Sequence, residues 1–253
     1  LGGGGRHRKP FSAAAEIPRL QPSASVQVHP DDAYGAKMSS PDLGKTEAWY
    51  IVAAMPGSVI YAGLKPGVDR QTLRQAIESG RAEEALHAFH PAVGDSVFIP
   101  AGTVHALGAG LLVAEIQQAS DTTFRLFDWN RVGADGKSRT LHIDQGLEVT
   151  DYHAGPTLPR KSRSGRAGWQ TLVRCDKFVL RSLDTGSDRL GDDDSFCIVT
   201  VPRGAAEIQM AGGSLELSVG QTILLPAAME SVRISPAPGS TVLAMNPPDS
   251  GLA

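Results

Sequence analysis

What most constrains the fold of this 253-residue chain is a turn-and-strand unit that occurs twice. "GDSVFIPA" from Gly94 is matched by "GQTILLPA" from Gly220, and "WYIV" from Trp49 by "FCIV" from Phe196. The second match is spaced more widely than the first, by about the length of the segment from Asp69 to Phe89. Two copies of one β-unit, the first carrying an insertion, fit that difference. Other short apolar runs, "LLVAEIQQ", "TTFRLFDW", "KFVLRSL" and "STVLAM", are set off by Gly, Pro and polar residues. Many short strands with turn signals between them predict an all-β sandwich or barrel.

The insertion has a different period. Leu73, Ala76, Ile77 and Gly80 follow Asp69, a helix N-cap residue, at helical spacing, and Ala82, Ala85, Leu86 and Phe89 repeat the pattern before Pro91. A helical hairpin over residues 69–90 is expected. The basic, proline-containing "HAGPTLPRKSRSGRAG", 153–168, reads as a solvated linker. The expected organisation is therefore a first β-domain over 24–152, the linker, and a second β-domain over 169–253. Residues 1–23, with four consecutive glycines, Pro18 and Pro22, read as a poorly ordered or truncated end that offers little to complete a barrel. On that ground residues 1 to about 20 are expected to be mobile, the first domain weakened and its activity low.

Composition removes several classes. With 41% apolar and 20% charged residues the chain can bury a core, and a net charge of −3 gives no general attraction to nucleic acid. Membrane association is not expected, because no apolar run reaches 18 residues. Only two cysteines occur, Cys175 and Cys197, too far apart for a C-x-x-C unit and without a disulfide framework, so a reducing cytoplasm is expected. No obligate protein partner is evident.

"SVQVHPDD", residues 25–32, alternates Val26 and Val28 on one strand face with Ser25, Gln27 and His29 on the other, then stops at Pro30. One face is suited to a core and the other to a ligand row. The turn G-D-x-x-x-x-P-A-G-x-x-H, which ends at His105, resembles that of the cupins, jelly-roll barrels whose interior often holds a metal. That resemblance implies two cupin barrels in tandem with a small helical insertion in the first. If the polar face of β-strand 25–29 points inward, Gln27 and His29 converge with His105, and Glu47 joins them from the head of the apolar strand at Trp49. Two imidazoles, a carboxylate and an amide oxygen suit one Zn²⁺ with positions left open. In the second copy the place of His105 falls on Ser231, so that barrel is expected to be metal-free.

Taken together, "SVQVHPDD", "GKTEAWYIV", "GDSVFIPAGTVHALGAGLLVAEIQQASDTTFRLFDWNR" and "RCDKFVLRSL" resemble the type I phosphomannose isomerases of the short bacterial form. The likeness runs from about Ala24 to the C-terminus and weakens in the second barrel. It implies Gln27, His29, Glu47 and His105 as zinc ligands, Arg125 as the active-site arginine, Lys45 as a substrate neighbour, and Glu115 and Asp121 as acids lining the pocket. The implied reaction interconverts mannose 6-phosphate and fructose 6-phosphate through a cis-enediol. Arg125 would stabilise enediolate charge, or pair with Asp121 or Asp128 on the barrel wall, or do both. The proton carrier is open among Glu115, Asp121, Lys45 and a metal-held water. Arg131 or Lys45 is expected to hold the phosphate. Two other readings remain: a sugar-binding cupin with weak or no turnover, and a metal-dependent cupin dioxygenase, although the latter normally presents His-x-His where this chain has Gln27 and His29.

Overall fold

The computed structural model describes residues 12–15, 24–133, 135–161, 165–191 and 195–248. In the first half lie β1 (Ser12–Ala15), β2 (Val26–Val28), α1 (Asp32–Gly35), β3 (Glu47–Ala54), β4 (Ile60–Leu64), α2 (Arg70–Glu78), β5 (Leu86–Phe89), β6 (Ser96–Ile99), β7 (His105–Leu107), β8 (Leu111–Gln117), β9 (Phe124–Phe127) and α3 (Ile143–Val149). The second half carries β10 (Gln170–Arg174), β11 (Val179–Leu183), β12 (Asp188–Leu190), β13 (Cys197–Arg203), β14 (Ala205–Met210), β15 (Gly213–Ser218), β16 (Thr222–Leu225), β17 (Val232–Pro236) and β18 (Thr241–Asn246). Sheets of strand order β1-β8-β3-β6 and β5-β4-β7-β2-β9 form the first barrel, and sheets β10-β11-β18-β13-β16 and β12-β17-β14-β15 form the second. This is the expected all-β tandem cupin arrangement.

Strand β3 explains the continuous apolar run "AWYIV". Trp49 and Ile51 point into the first barrel with Ile60, Ala62, Val97 and Ile99. Ala48 and Tyr50, on the opposite face, pack with Ile116 against Leu172, Phe178, Leu180 and Leu243 of the second barrel. A strand buried on both faces has no reason to alternate polar with apolar residues. The outer face of the other first-barrel sheet offers Val26, Val28, Val104, Ala106, Phe124 and Leu126, which are covered by Leu73 and Ile77 of α2 and Leu147 of α3. Helix α3 lies close because Gly146 faces Leu126: a Cβ there would come within 2.5 Å of Leu126 Cδ2.

Three sequence expectations need revision. Helix α2 forms as read, with the Asp69 carboxylate accepting from the Thr72 N–H at 2.7 Å. The second arm of the hairpin is instead a single 3₁₀ turn, Ala82–Ala85, that runs directly into β5. Pairing of β5 with the free edge of β4 competes with the helix there and wins, placing Leu86 opposite Leu64 and Phe89 opposite Ile60. At the N-terminus, Ser12–Ala15 does supply an edge strand, paired antiparallel with Ala114–Gln117 of β8. The remainder of 1–23, where mobility was expected, lies outside the described residues. The third concerns the segment read as a solvated linker, of which residues 156–160 lie along the first barrel: Ser96 and Arg160 exchange backbone hydrogen bonds of 2.9 and 2.8 Å, and Gly63 bridges to Pro156.

The repeat holds in topology and slips in register. Strand β3 lies between β8 and β6 as β13 lies between β18 and β16. Glu47 faces Ile99 in the first barrel, and Cys197 faces Leu225 at the matching place in the second. Cys197 therefore stands where Glu47 does, three residues from the position that the "WYIV" and "FCIV" match assigns it.

Candidate metal centre

A row of paired residues crosses the interior face of one first-barrel sheet. Ala62 is opposite His105, His105 opposite Gln27, and Gln27 opposite Arg125. Across the barrel, Glu47 is opposite Ile99 on one side and Gln117 on the other. Cross-strand partners share a face, so His105, Gln27 and Arg125 look toward Glu47 and Gln117. His29, directly after β2, completes the group.

Three of these side chains are almost wholly buried: His29 and His105 at 1% exposure and Glu47 at 2%. His29 Nε2 lies 3.1 Å from Glu47 Oε1, His105 Nε2 3.7 Å from Glu47 Oε2, and Gln27 Nε2 3.2 Å from His105 Nε2. Ligand atoms of His29, Glu47 and His105 all fall within 4.8 Å of one another. Lys45 Nζ reaches Glu47 Oε1 at 3.0 Å.

Both imidazoles are oriented by backbone carbonyls. His29 Nδ1 donates to the Thr122 oxygen and His105 Nδ1 to the Thr103 oxygen, each at 2.9 Å. A carbonyl only accepts, so each Nδ1 carries a proton and each Nε2 is aimed inward. His29 Nε2, fully buried, meets no hydrogen-bond donor among the described residues. It faces a carboxylate oxygen instead, and two electron-rich groups at 3.1 Å need a proton or a cation between them. Burial, opposed by the nearby Glu47 charge, lowers the pKa of His105 to about 4, which keeps that ring neutral. Burial raises the pKa of Glu47, but a hydrogen bond from His29 and the positive charge of Lys45 and of either imidazole when protonated outweigh it and hold the group well below the usual carboxylate range. A carboxylate, two imidazole Nε2 atoms and an amide that offers Oε1 when its end group is rotated make a donor set fit for a borderline divalent cation.

The P-A-G-x-x-H turn holds this geometry. Gly102, at φ +85°, adopts a backbone that disfavours a side chain, and its N–H donates to the His29 carbonyl at 2.8 Å. Next to it, the Ala101 N–H donates to the Thr46 hydroxyl at 3.3 Å, adjoining Glu47. On the other strand, Asp31 caps α1 through the Tyr34 N–H at 2.7 Å, which accounts for the abrupt stop after "SVQVHP".

The remaining expected residues divide. Arg125 is half-buried, with Nη1 donating to the Thr140 carbonyl at 2.9 Å and Nε buried without a partner. No pairing of its guanidinium with Asp121 or Asp128 is seen among the described contacts; Asp128 instead binds Arg131 and Arg139, the latter also through Nε at 2.8 Å. Glu115 is half-buried on β8 opposite Trp49, on the same inward face as Gln117. The Asp121 side chain is exposed on the loop after β8. Sequence reading missed Gln117 and Arg139, and also the carbonyls of Thr103 and Thr122. Gln117 was available from period two counted from Glu115, whereas a carbonyl acceptor leaves no mark in the residue types.

Among the described residues, the second barrel shows no matching donor set. Gly191 lies against Ser231, where Gln27 faces His105, and Cys197 stands in the place of Glu47. Fold and donor set together define a two-barrel cupin whose first barrel alone presents a candidate metal centre among the described residues. Mannose-6-phosphate isomerase ManA of Bacillus subtilis (strain 168) is 32% identical over 230 residues, 88% of this chain and 72% of the relative. The crystal structure of the mannose 6-phosphate isomerase from Bacillus subtilis matches with a TM-score of 0.74 at 28% identity, over 89% of this chain and 72% of that one. A mannose 6-phosphate isomerase bound with zinc and yttrium shares the fold at a TM-score of 0.68 and 14% identity, over 90% of this chain and 77% of that one. No protein-family model matches the chain. The chain belongs to the mannose-6-phosphate isomerase family and is an isomerase. No helix among the described residues is long and apolar enough to cross a membrane.

Proposed function

We propose that the first barrel interconverts mannose 6-phosphate and fructose 6-phosphate through a cis-enediol, with one Zn²⁺ held by Gln27, His29, Glu47 and His105. The observation that carries this reading is the pair of imidazoles locked by backbone carbonyls so that both Nε2 atoms face one buried carboxylate. The zinc in a family member of the same fold supports the choice of metal. When bound, the ion supplies Lewis-acid polarisation of the sugar oxygens at C1 and C2.

The chain's own groups do the rest. Isomerisation removes a proton from one of C1 and C2 and returns one to the other, while negative charge develops on the adjacent oxygens. Arg125 shares the strand row of Gln27 and His105, and its buried Nε is free to donate to that charge. Burial and the charge of Arg139 lower its pKa, but from so high a value that it stays cationic at neutral pH. Of the proton carriers, Glu115 is favoured by its place on the inward face, Lys45 is engaged with Glu47, and Asp121 is exposed. Arg131, gathered with Arg139 around the single carboxylate of Asp128, leaves net positive charge for a phosphate.

A coupled assay of mannose 6-phosphate conversion, before chelation, after it and after zinc is returned, tests the reading. Conversion that disappears and recovers supports it. No conversion by the zinc-replete protein overturns it, and hexose phosphate binding without turnover identifies a sugar-binding cupin.

A further inference from the structure

We infer that Asp42 is a positioning residue that fixes the orientation of His29 through the Thr122 carbonyl. Its Oδ2 accepts hydrogen bonds from three consecutive residues of the loop after β8: the Ser120 hydroxyl at 3.0 Å, the Asp121 N–H at 3.1 Å and the Thr122 hydroxyl at 3.0 Å. Oδ1 accepts the Leu43 N–H at 2.8 Å, and the Asp42 N–H donates to the Gly35 carbonyl at 3.2 Å, so the carboxylate is itself anchored. These bonds run from the 36–46 connection, which leads into Lys45 and Glu47, to the loop that supplies the acceptor for His29 Nδ1.

A short loop is held in one conformation only when its polar groups have fixed partners. The Ser120 hydroxyl also meets the Leu43 carbonyl at 2.8 Å and accepts the Thr122 N–H at 3.2 Å, but the Asp42 oxygen ties all three residues together, so removing it loosens the direction of the Thr122 carbonyl. His29 would then lose the acceptor that holds its Nδ1–H and aims Nε2 toward Glu47. Outer hydrogen-bond partners of ligating histidines act in this way, and their loss weakens metal binding about 10- to 100-fold. His105 provides an internal control, because its acceptor is Thr103, on a different turn from the loop that supplies Thr122. The same three bonds explain the place of Asp121: its backbone belongs to the support of the centre while its side chain faces solvent.

The inference deepens the metal reading and rests on it for the effect on zinc, while its structural core is testable in metal-free protein. In histidine-¹⁵N-labelled, chelator-treated protein, the Nδ1–H signals of His29 and His105 are compared in wild type, Asp42→Ala and Asp42→Asn. The expected result is at least tenfold faster exchange of the His29 signal in Asp42→Ala, a smaller change in Asp42→Asn, which keeps one acceptor oxygen, and no change at His105. Zinc competition against a chromophoric chelator should show affinity about 10- to 100-fold weaker in Asp42→Ala. Val232→Ala, which destabilises the second barrel, should leave zinc affinity unchanged. An unaltered His29 signal in both Asp42 variants overturns the inference, as does a zinc affinity within twofold of wild type or an equal loss in Val232→Ala. If Asp42→Ala fails to fold, Asp42→Asn decides. Wild-type protein that binds no zinc would sink the metal reading and leave the signal comparison to judge Asp42.

Discussion

His29 and Glu47 come from facing sheets of the first barrel and meet across its interior at 3.1 Å. Neither residue can be moved without moving a sheet. Glu47, at 2% exposure, is a charge that the interior tolerates only with compensation, which His29 and Lys45 supply. A divalent cation would take the place of the compensating proton, so the same contact links folding of the barrel to metal affinity.

The first prediction follows from that contact. Elemental analysis should give about one zinc per chain, and His105→Ala should lose it while retaining the fold. No second equivalent is expected, because Cys197, Gly191 and Ser231 occupy the corresponding places in the second barrel. Unchanged metal content in His105→Ala would refute the ligand assignment.

Arg125→Ala should separate chemistry from metal binding. The guanidinium contacts the Thr140 carbonyl and no proposed ligand, so zinc content should stay at the wild-type level. If Arg125 stabilises enediolate charge, kcat should fall by roughly 10²-fold or more with a smaller effect on KM. Steady-state kinetics beside a zinc determination reads both, and wild-type kcat in this variant would remove Arg125 from the mechanism.

Much of the site was readable because its side chains are specified by strand period and by one turn. Gln27 and His29 follow from the alternation of "SVQVH", and His105 from P-A-G-x-x-H, whose glycine is required by a positive φ. What could not be read is carried by backbone or by distant pairing. The Thr122 carbonyl that orients His29 has no residue-type signature. Strand β5 competes with a helix on local preference and is decided by the edge of β4. Helix α3 went unread because its contact with Leu126 depends on Gly146, a residue that local propensity counts against a helix. Register in the second barrel slipped by three residues for a related reason: apolar letters match wherever both strand faces are buried.

Phe178→Ala tests the contact between the barrels. The side chain is fully buried in the cluster that joins Tyr50 and Ile116 to Leu172, Leu180 and Leu243. Truncation should cost about 3–5 kcal/mol. Because Tyr50 shares β3 with Glu47, zinc affinity should weaken as well. Denaturant unfolding with a loss below about 1 kcal/mol would show that the cavity collapses, or that the barrels do not depend on this contact.

Acid should destabilise the metal-free protein over a defined window. Burial gives His105 a folded pKa of about 4, below the ordinary value of 6.5. Between those two values the unfolded chain binds a proton that the folded chain refuses, so stability falls as pH falls through that range. Glu47 acts in the same direction at lower pH: its folded pKa lies below its ordinary value of 4.5, so acid protonates the unfolded chain first and draws the equilibrium toward it. Neither group gives a slope above about pH 7, where His105 is neutral and Glu47 ionised in both states. The thermal midpoint of chelator-treated protein should therefore be flat from about pH 7 to 8 and decline below about 6.5. In His105→Asn the upper part of that decline should shrink while the part below pH 4.5 persists. Zinc-loaded protein should be steadier until protons compete for the imidazoles, and then fall more steeply. A decline of the same slope in His105→Asn and in wild type between pH 6.5 and 4.5 would assign the acid sensitivity to other groups.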